Sequence, residues 1–279
     1  DAYIIKAPKR LKGIEYMFKW ISHTGTEALI MAAVLAKGTT IIKNAALEPE
    51  VGELCKFLNS VGAQISGIDT PTLTIHGVTS LDGGKATIIP DRIEAGTFAI
   101  LGALAGDNLT ITNINPAHLD VLWKYFDLMN IAYTLTKNSL TISKANDIKP
   151  TTVKTHEYPG FATDLQPPMT LLLTQAPGQS MMHETIYDGR LFYTDKLNSM
   201  GADIIMADPH RVIVNGPTQL FGKRIGSPDI RAGITLVMGA LIAKGSSEIT
   251  QIHHIERGHA DFLVRMQSVG ASITQRNDN

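Results

Sequence analysis

The sequence predicts an α/β fold made of repeated βαβαββ units, with helices inside and sheets outside. Three observations carry that reading. Gly38, Gly106, Gly178 and Gly245 each follow an apolar stretch of helical character, and they fall about 70 residues apart, longer than the usual solenoid period. The stretches before them are apolar on most faces (Leu29, Ile30, Val34, Leu35; Ile234, Leu236, Val237, Leu241), as in helices enclosed by a core. The segments Leu73-Thr-Ile75, Leu140-Thr-Ile142 and Val212-Ile-Val214 alternate apolar and polar residues, which fits strands with one face buried and one wet.

Four units follow, over residues 10–78, 84–144, 151–216 and 221–279. Each opens with a short predicted strand: 14–20, 86–89, 153–156 and 223–225. The inner helices are predicted over 26–36, 96–105, 169–174 and 232–243. Gly38 and Gly245 suit the left-handed cap that ends a helix. Strands are then expected at 40–42, 109–111, 181–183 and 248–250. The second helices are amphipathic: Val51, Leu54, Cys55 and Leu58 keep helical spacing, as do Leu119, Leu122, Phe126 and Met129, and Phe262, Leu263, Met266 and Val269. They close on Gly62-Ala63, Ile131-Ala132, Gly201-Ala202 and Gly270-Ala271. Residues 79–85, with Gly83-Gly84, form the candidate hinge.

The bulk properties narrow the function. A chain of 279 residues, 44% hydrophobic and 18% charged, supports one large or two smaller domains. A net charge of −1 with no basic stripe gives no ground for a nucleic-acid or membrane-surface partner. The longest apolar run, 29–36, is too short to span a bilayer. One cysteine forms no internal disulfide, no signal peptide is visible, and a cytoplasmic protein is the default expectation. The chain opens on Asp1 rather than Met, as a processed chain or a fragment would. The nine histidines lack zinc spacing, so no metal is expected. His253 and His254 are expected on opposite sides of a strand. Cys55, on the apolar face of its helix, reads as a core thiol.

The candidate chemistry lies in two sets of loops, and the repeat should bring their charges to one place. The first set precedes the inner helices: Ser22-His-Thr-Gly25, Asp91-Arg-Ile-Glu94, Thr163-Asp-Leu-Gln166 and Asp229-Ile-Arg231. Helix N-termini favour anions, but Asp91 and Asp229 are equally ordinary N-caps. Capping does not account for Arg92 or Arg231, because a cation opposes the helix dipole there; an arginine in that position calls for an anionic partner. The second set contains Glu48, His118, Arg190 and Arg257. Arg190 and Arg257 take nearly the same place in units three and four and should approach each other. Convergent arginines suit a doubly anionic ligand; surface ion pairs with Asp188 and Glu256 are the plainer alternative. Asp164, in a stiff loop flanked by aromatic residues and prolines, is a candidate base or hydroxyl acceptor, or else a helix cap.

In order, Asn44-Ala-Ala-Leu-Glu-Pro-Glu50, Pro90-Asp-Arg-Ile-Glu-Ala-Gly-Thr97, Thr163-Asp-Leu-Gln166, Asp229-Ile-Arg-Ala-Gly233 and His254-Ile-Glu-Arg-Gly-His259 resemble the UDP-N-acetylglucosamine enolpyruvyl transferases over essentially the whole chain. The resemblance implies an inside-out α/β barrel of two lobes with three units each. Residues 1–89 would be part of the first lobe and 90–279 all of the second. It implies transfer of the enolpyruvyl group of phosphoenolpyruvate to the 3-hydroxyl of UDP-N-acetylglucosamine, without metal or organic cofactor. That is the first committed step of peptidoglycan synthesis, and it ties the family to cell-wall biogenesis, cell shape and division. It matches Asp164 to the aspartate at the 3-hydroxyl, Arg190, Arg231 and Arg257 to arginines around phosphoenolpyruvate, His23, Thr24 and Gly25 to a nucleotide-contacting turn, and Ile186 to an apolar residue beside the sugar nucleotide. Glu48, Asp91, Arg92, Glu94 and Asp229 would support the site.

The family's N-terminal Lys-Asn pair and mobile Gly-Gly-Cys loop, whose cysteine is the general acid, have no counterpart in these residues, and Cys55 is not that cysteine. The expected partners are therefore the two substrates together with a second copy or a complementing N-terminal fragment that covers the Leu29/Ile30 face. The alternatives are a non-catalytic sugar-nucleotide-binding fragment and the sister enzyme acting on shikimate phosphate, whose different basic motifs are not seen here.

Overall fold

The repeat is written in the sheets of the computed structural model, which describes residues 2–4 and 9–276. The first unit runs β1 (Glu15–Met17), α1 (His23–Ala33), β2 (Thr39–Lys43), α2 (Pro49–Ser60), β3 (Gln64–Ser66) and β4 (Thr72–His76). β1 pairs parallel with β2, and β4 lies antiparallel between β2 and β3. Parallel neighbours need a crossover, which α1 supplies.

The second unit holds α3 (Arg92–Ala105), β5 (Leu109–Thr112), a 3₁₀ turn at Pro116–Leu119, α4 (Asp120–Leu128), β6 (Tyr133–Leu135) and β7 (Ser139–Ile142). The third holds β8 (Thr152–Lys154), a 3₁₀ turn at Thr163–Leu165, α5 (Gln166–Leu173), β9 (Gly178–His183), α6 (Thr194–Ser199), β10 (Asp203–Asp208) and β11 (Arg211–Gly216). Its sheet order, β8-β9-β11-β10, reproduces that of the first unit, β1-β2-β4-β3. The fourth holds β12 (Arg224–Gly226), α7 (Ile230–Ile242), β13 (Glu248–Thr250), α8 (His253–Glu256) and α9 (Phe262–Ser268).

Several expectations need correcting. Residues 86–89 form no strand, and the second sheet has only β5-β7-β6. Among the described residues the fourth unit has no closing strand pair. His253 and His254 lie on α8 with rings 4.1 Å apart, not on two faces of a strand. The inner helices begin at His23, Arg92, Gln166 and Ile230, earlier than predicted, because the first turn precedes the continuous apolar run that marks each helix.

The ends of the second helices share one device. The N–H groups of Ala63, Ile131, Ala202 and Ala271 donate back to the carbonyls of Leu58, Phe126, Leu197 and Met266 at 2.9–3.1 Å. This is the Schellman bond, and it needs a left-handed residue just before the donor. Gly62, Gly201 and Gly270 supply it with φ of 104°, 110° and 90°. In the second unit Asn130 does so at 60°, so the equivalent pair is Asn130-Ile131, not Ile131-Ala132.

The chain divides into two compact units, Asp1–Ile89 with Glu157–Pro159, and Pro90–His156 with Gly160–Asn279. In the larger, α3, α5 and α7 form the centre, and the sheets lie outside them. α5 is an eight-residue helix, too short to persist alone. Met169, Leu171, Leu172 and Leu173 are fully buried, and at about 1.5–3 kcal/mol each their burial outweighs the cost of ordering it. In the smaller unit Ile30, Val34, Ile42, Cys55, Leu73 and Ile75 make the core. Ile30 is buried, so the exposed stripe of α1 is not the expected Leu29/Ile30 face. It is Ala28, Met31, Ala32 and Leu35, at helical spacing. The edge strand β1 and its flank add exposed Tyr16, Met17 and Trp20.

Candidate active site

Asp164 sits in the 3₁₀ turn that leads into α5. Pro167 and Pro168 follow in the first helical turn, where their fixed φ suits the helix and the missing N–H would be unpaired in any case. Asp164 does not cap the helix. Its Oδ1 accepts from Arg190 Nη2 at 2.7 Å. Its Oδ2 accepts from Arg231 Nε at 2.9 Å, with Arg231 Nη2 2.8 Å from the same oxygen. All three side chains are partly buried. Burial alone would raise the Asp164 pKa; the charges and hydrogen bonds of Arg231 and Arg190 outweigh it and hold the carboxyl below its ordinary value.

Arg190 comes from the loop after β9, where its guanidinium also lies 5.1 Å from the Tyr187 ring centre. Asp188 does not pair with it; Asp188 faces His210 at 3.3 Å. Arg231 comes from the first turn of α7, where Asp229 caps by accepting from the N–H groups of Arg231 (2.7 Å) and Ala232 (2.9 Å). Asp229 is thus a cap, as its position allows, and Arg231 finds its anion in Asp164. Ile186 is half-buried on the loop that carries Arg190.

Arg257 is not part of the Asp164 pairing. It is exposed at the end of α8 and, among the described residues, makes no ion pair with Asp164 or Glu256. At the start of α3, Asp91 caps the N–H groups of Ile93 and Glu94 at 2.8 and 2.9 Å, and Arg92 is buried. Glu94 accepts from Arg265 Nη1 at 2.6 Å, and His259 Nδ1 lies 3.3 Å away. The His259 hydrogen bond first, then Arg265, overcome burial and bring the Glu94 carboxyl down to about 2.

In the smaller unit His23, Thr24 and Gly25 form the first turn of α1. Ser22 caps it, accepting from Gly25 N–H at 3.1 Å. A Cβ on Gly25 would stand 2.8 Å from that same hydroxyl oxygen, so glycine permits the tight turn. His23 Nε2 lies 3.2 Å from Glu27 Oε1. Glu48 takes the N-cap position of α2 without a capping hydrogen bond.

Two buried polar groups carry no distinctive motif: Glu184, a fully buried acid immediately after β9, and the pair of Gln166 and Tyr193, joined by a 2.8 Å hydrogen bond. Their only signal is a polar residue at the edge of an apolar run. A cavity of about 420 Å³ opens beside Leu104, Gln175 and Ile242, at the C-terminal ends of α3, α5 and α7, the opposite end of the helices from Asp164.

Inward helices, outward sheets and a carboxylate gripped by arginines at a helix start define an α/β protein of the enolpyruvyl transferase fold. The enolpyruvyl transferase NikO from Streptomyces tendae superposes with a TM-score of 0.87 over 95% of this chain and 65% of its own, at 24% identity. EPSP synthase from Acinetobacter baumannii superposes with 0.72 over 95% and 64%, at 16%. The profile of the EPSP synthase (3-phosphoshikimate 1-carboxyvinyltransferase) family matches residues 2–266, and the chain belongs to that family. It is 42% identical over 271 residues to UDP-N-acetylglucosamine 1-carboxyvinyltransferase of Koribacter versatilis, and 42% over 266 residues to UDP-N-acetylglucosamine 1-carboxyvinyltransferase 2 of Bacillus subtilis. These alignments take in 97% and 95% of this chain but 62% of each relative, so the chain spans less than two thirds of their length.

Proposed function

We propose that the chain is the larger part of a UDP-N-acetylglucosamine 1-carboxyvinyltransferase, acting in the cytoplasm at the entry to peptidoglycan synthesis. The observation that carries the reading is Asp164 held between Arg190 and Arg231. Two guanidinium groups are the equipment for a phosphate and a carboxylate, and phosphoenolpyruvate carries both. Arg257, unpaired among the described residues, is available as the third. His23, Thr24, Gly25 and Ile186 contact the sugar nucleotide. Residues 1–89 belong to a first lobe, and 90–279 make up the second.

The reaction is addition followed by elimination. The 3-hydroxyl oxygen bonds to C2 of phosphoenolpyruvate, Asp164 takes the hydroxyl proton, and an acid delivers a proton to the methylene carbon. Phosphate then leaves C2 as a proton leaves C3. The arginines stabilise the anion throughout. A carboxylate held low by two arginines is a poor base. An arriving anionic substrate draws those arginines to itself and returns Asp164 toward ordinary basicity.

The exposed stripe on α1 and the open edge of β1 support a requirement for a covering polypeptide, an N-terminal segment or a second copy, and the same requirement holds if the chain only binds the sugar nucleotide. Phosphate release from phosphoenolpyruvate tests the proposal. Release should depend on UDP-N-acetylglucosamine, require a segment carrying the Gly-Gly-Cys loop, and vanish in Asp164→Asn. Release with shikimate 3-phosphate instead would favour the sister reaction; release by the chain alone would reject the requirement for an external acid.

A further inference from the structure

We propose that Glu184 is a positioning residue that sets the Asp164–Arg190 pair. Its effect on sugar-nucleotide binding rests on the function proposed above; its effect on the pair does not. Glu184 is fully buried. Its backbone extends the β9–β11 ladder, with its N–H donating to His210 O at 2.8 Å, while its side chain is buried. Oε2 accepts from Thr163 Oγ1 at 2.7 Å. Oε1 accepts from Ile186 N–H at 2.8 Å, Tyr187 N–H at 3.2 Å and Thr155 Oγ1 at 3.1 Å.

A buried carboxylate costs several kcal/mol unless its oxygens are satisfied. Here four neutral donors satisfy it, and, among the described residues, no cation pairs with it. The donors come from three separate segments: the end of β8, the turn before α5 and the loop after β9. Thr163 adjoins Asp164. Tyr187 lies three residues before Arg190 and holds its guanidinium against the ring.

The contacts therefore close a ring, from Asp164 through Thr163, Glu184, Tyr187 and Arg190 back to Asp164. A forked side chain with two polar ends holds both loops at once. Glu184 thus fixes the spacing at which Arg190 reaches the Asp164 carboxylate.

Thr163→Val removes one hydroxyl from this ring at nearly constant shape. The first readout is the Asp164 titration, followed by carboxyl-carbon NMR on aspartate-labelled protein, which requires neither ligand nor turnover. With Arg190 released, the Asp164 midpoint should rise toward the ordinary carboxylate value. Glu184→Ala should do the same. Glu184→Gln should recover much of the original midpoint, because its amide can donate to Thr163 Oγ1 while its oxygen keeps the other donors.

The second readout is UDP-N-acetylglucosamine affinity, expected to weaken about tenfold in Thr163→Val, the loss of one charge-assisted hydrogen bond. A lower melting temperature with an unmoved Asp164 midpoint would make Glu184 a structural residue only and overturn the proposal. A moved midpoint in a protein whose wild type binds no sugar nucleotide would leave the positioning role standing and reject the function.

Discussion

Glu94→Gln should loosen the attachment of the C-terminal repeat to α3, and only where Glu94 is charged. The carboxylate joins residues far apart in sequence, accepting from Arg265 at 2.6 Å with His259 at 3.3 Å. Its descent from 4.5 to about 2 corresponds to roughly 3 kcal/mol at 1.36 kcal/mol per tenfold change. Glu94 retains 23% of its side-chain exposure and Arg265 retains 42%, so solvent screening reduces the realised contribution to about 1–2 kcal/mol. That is a fall of about 2–8 °C in melting temperature for a unit of this size. Because the folded carboxyl lies below its unfolded value, the contribution is whole above about pH 4.5 and fades as pH falls toward 2. Urea unfolding of wild type and Glu94→Gln at pH 7 and pH 3.5 measures both parts. The gap should narrow clearly at the lower pH. Equal stability at pH 7, or a gap that does not change with pH, would refute the clasp.

Three further outcomes are expected. Gly96→Ala would set a Cβ 2.7 Å from Leu165 Cδ1, beside Asp164, and should cost about 1–3 kcal/mol in a denaturant titration. Cys55 is fully buried, and burial first, then Asp69, raises its thiol to about 11; it should resist an aromatic disulfide reagent at pH 8 until the protein unfolds, and prompt native reaction would contradict its place in the core. Arg257→Ala should weaken phosphoenolpyruvate binding much more than sugar-nucleotide binding in calorimetry; equal losses would reject its assignment.

The repeat was legible because its punctuation answers a backbone need. Gly38 and Gly245 adopt φ of 91° and 88°, which side chains resist, so the sequence must mark them. Asn130 makes the same turn without glycine, and the register slipped by one residue there. Residues 86–89 look extended, but a strand is a pairing, and among the described residues no neighbour takes them. Asp164 and Arg231 were legible as charges that the local helix did not explain. Arg257 is placed by the repeat and by the His254–His259 motif, and it stands at the end of the short α8. Glu184 was hidden because the burial of its side chain depends on two distant threonines.

The central claim is that Asp164 belongs to a sugar-nucleotide site. Calorimetric titration of UDP-N-acetylglucosamine into wild type and Asp164→Ala tests it most directly. The account predicts saturable binding to wild type that weakens at least tenfold when the carboxylate is removed, equivalent to about 1.4 kcal/mol or more. Equal affinity in the two proteins, or no binding to wild type at millimolar ligand, would contradict it.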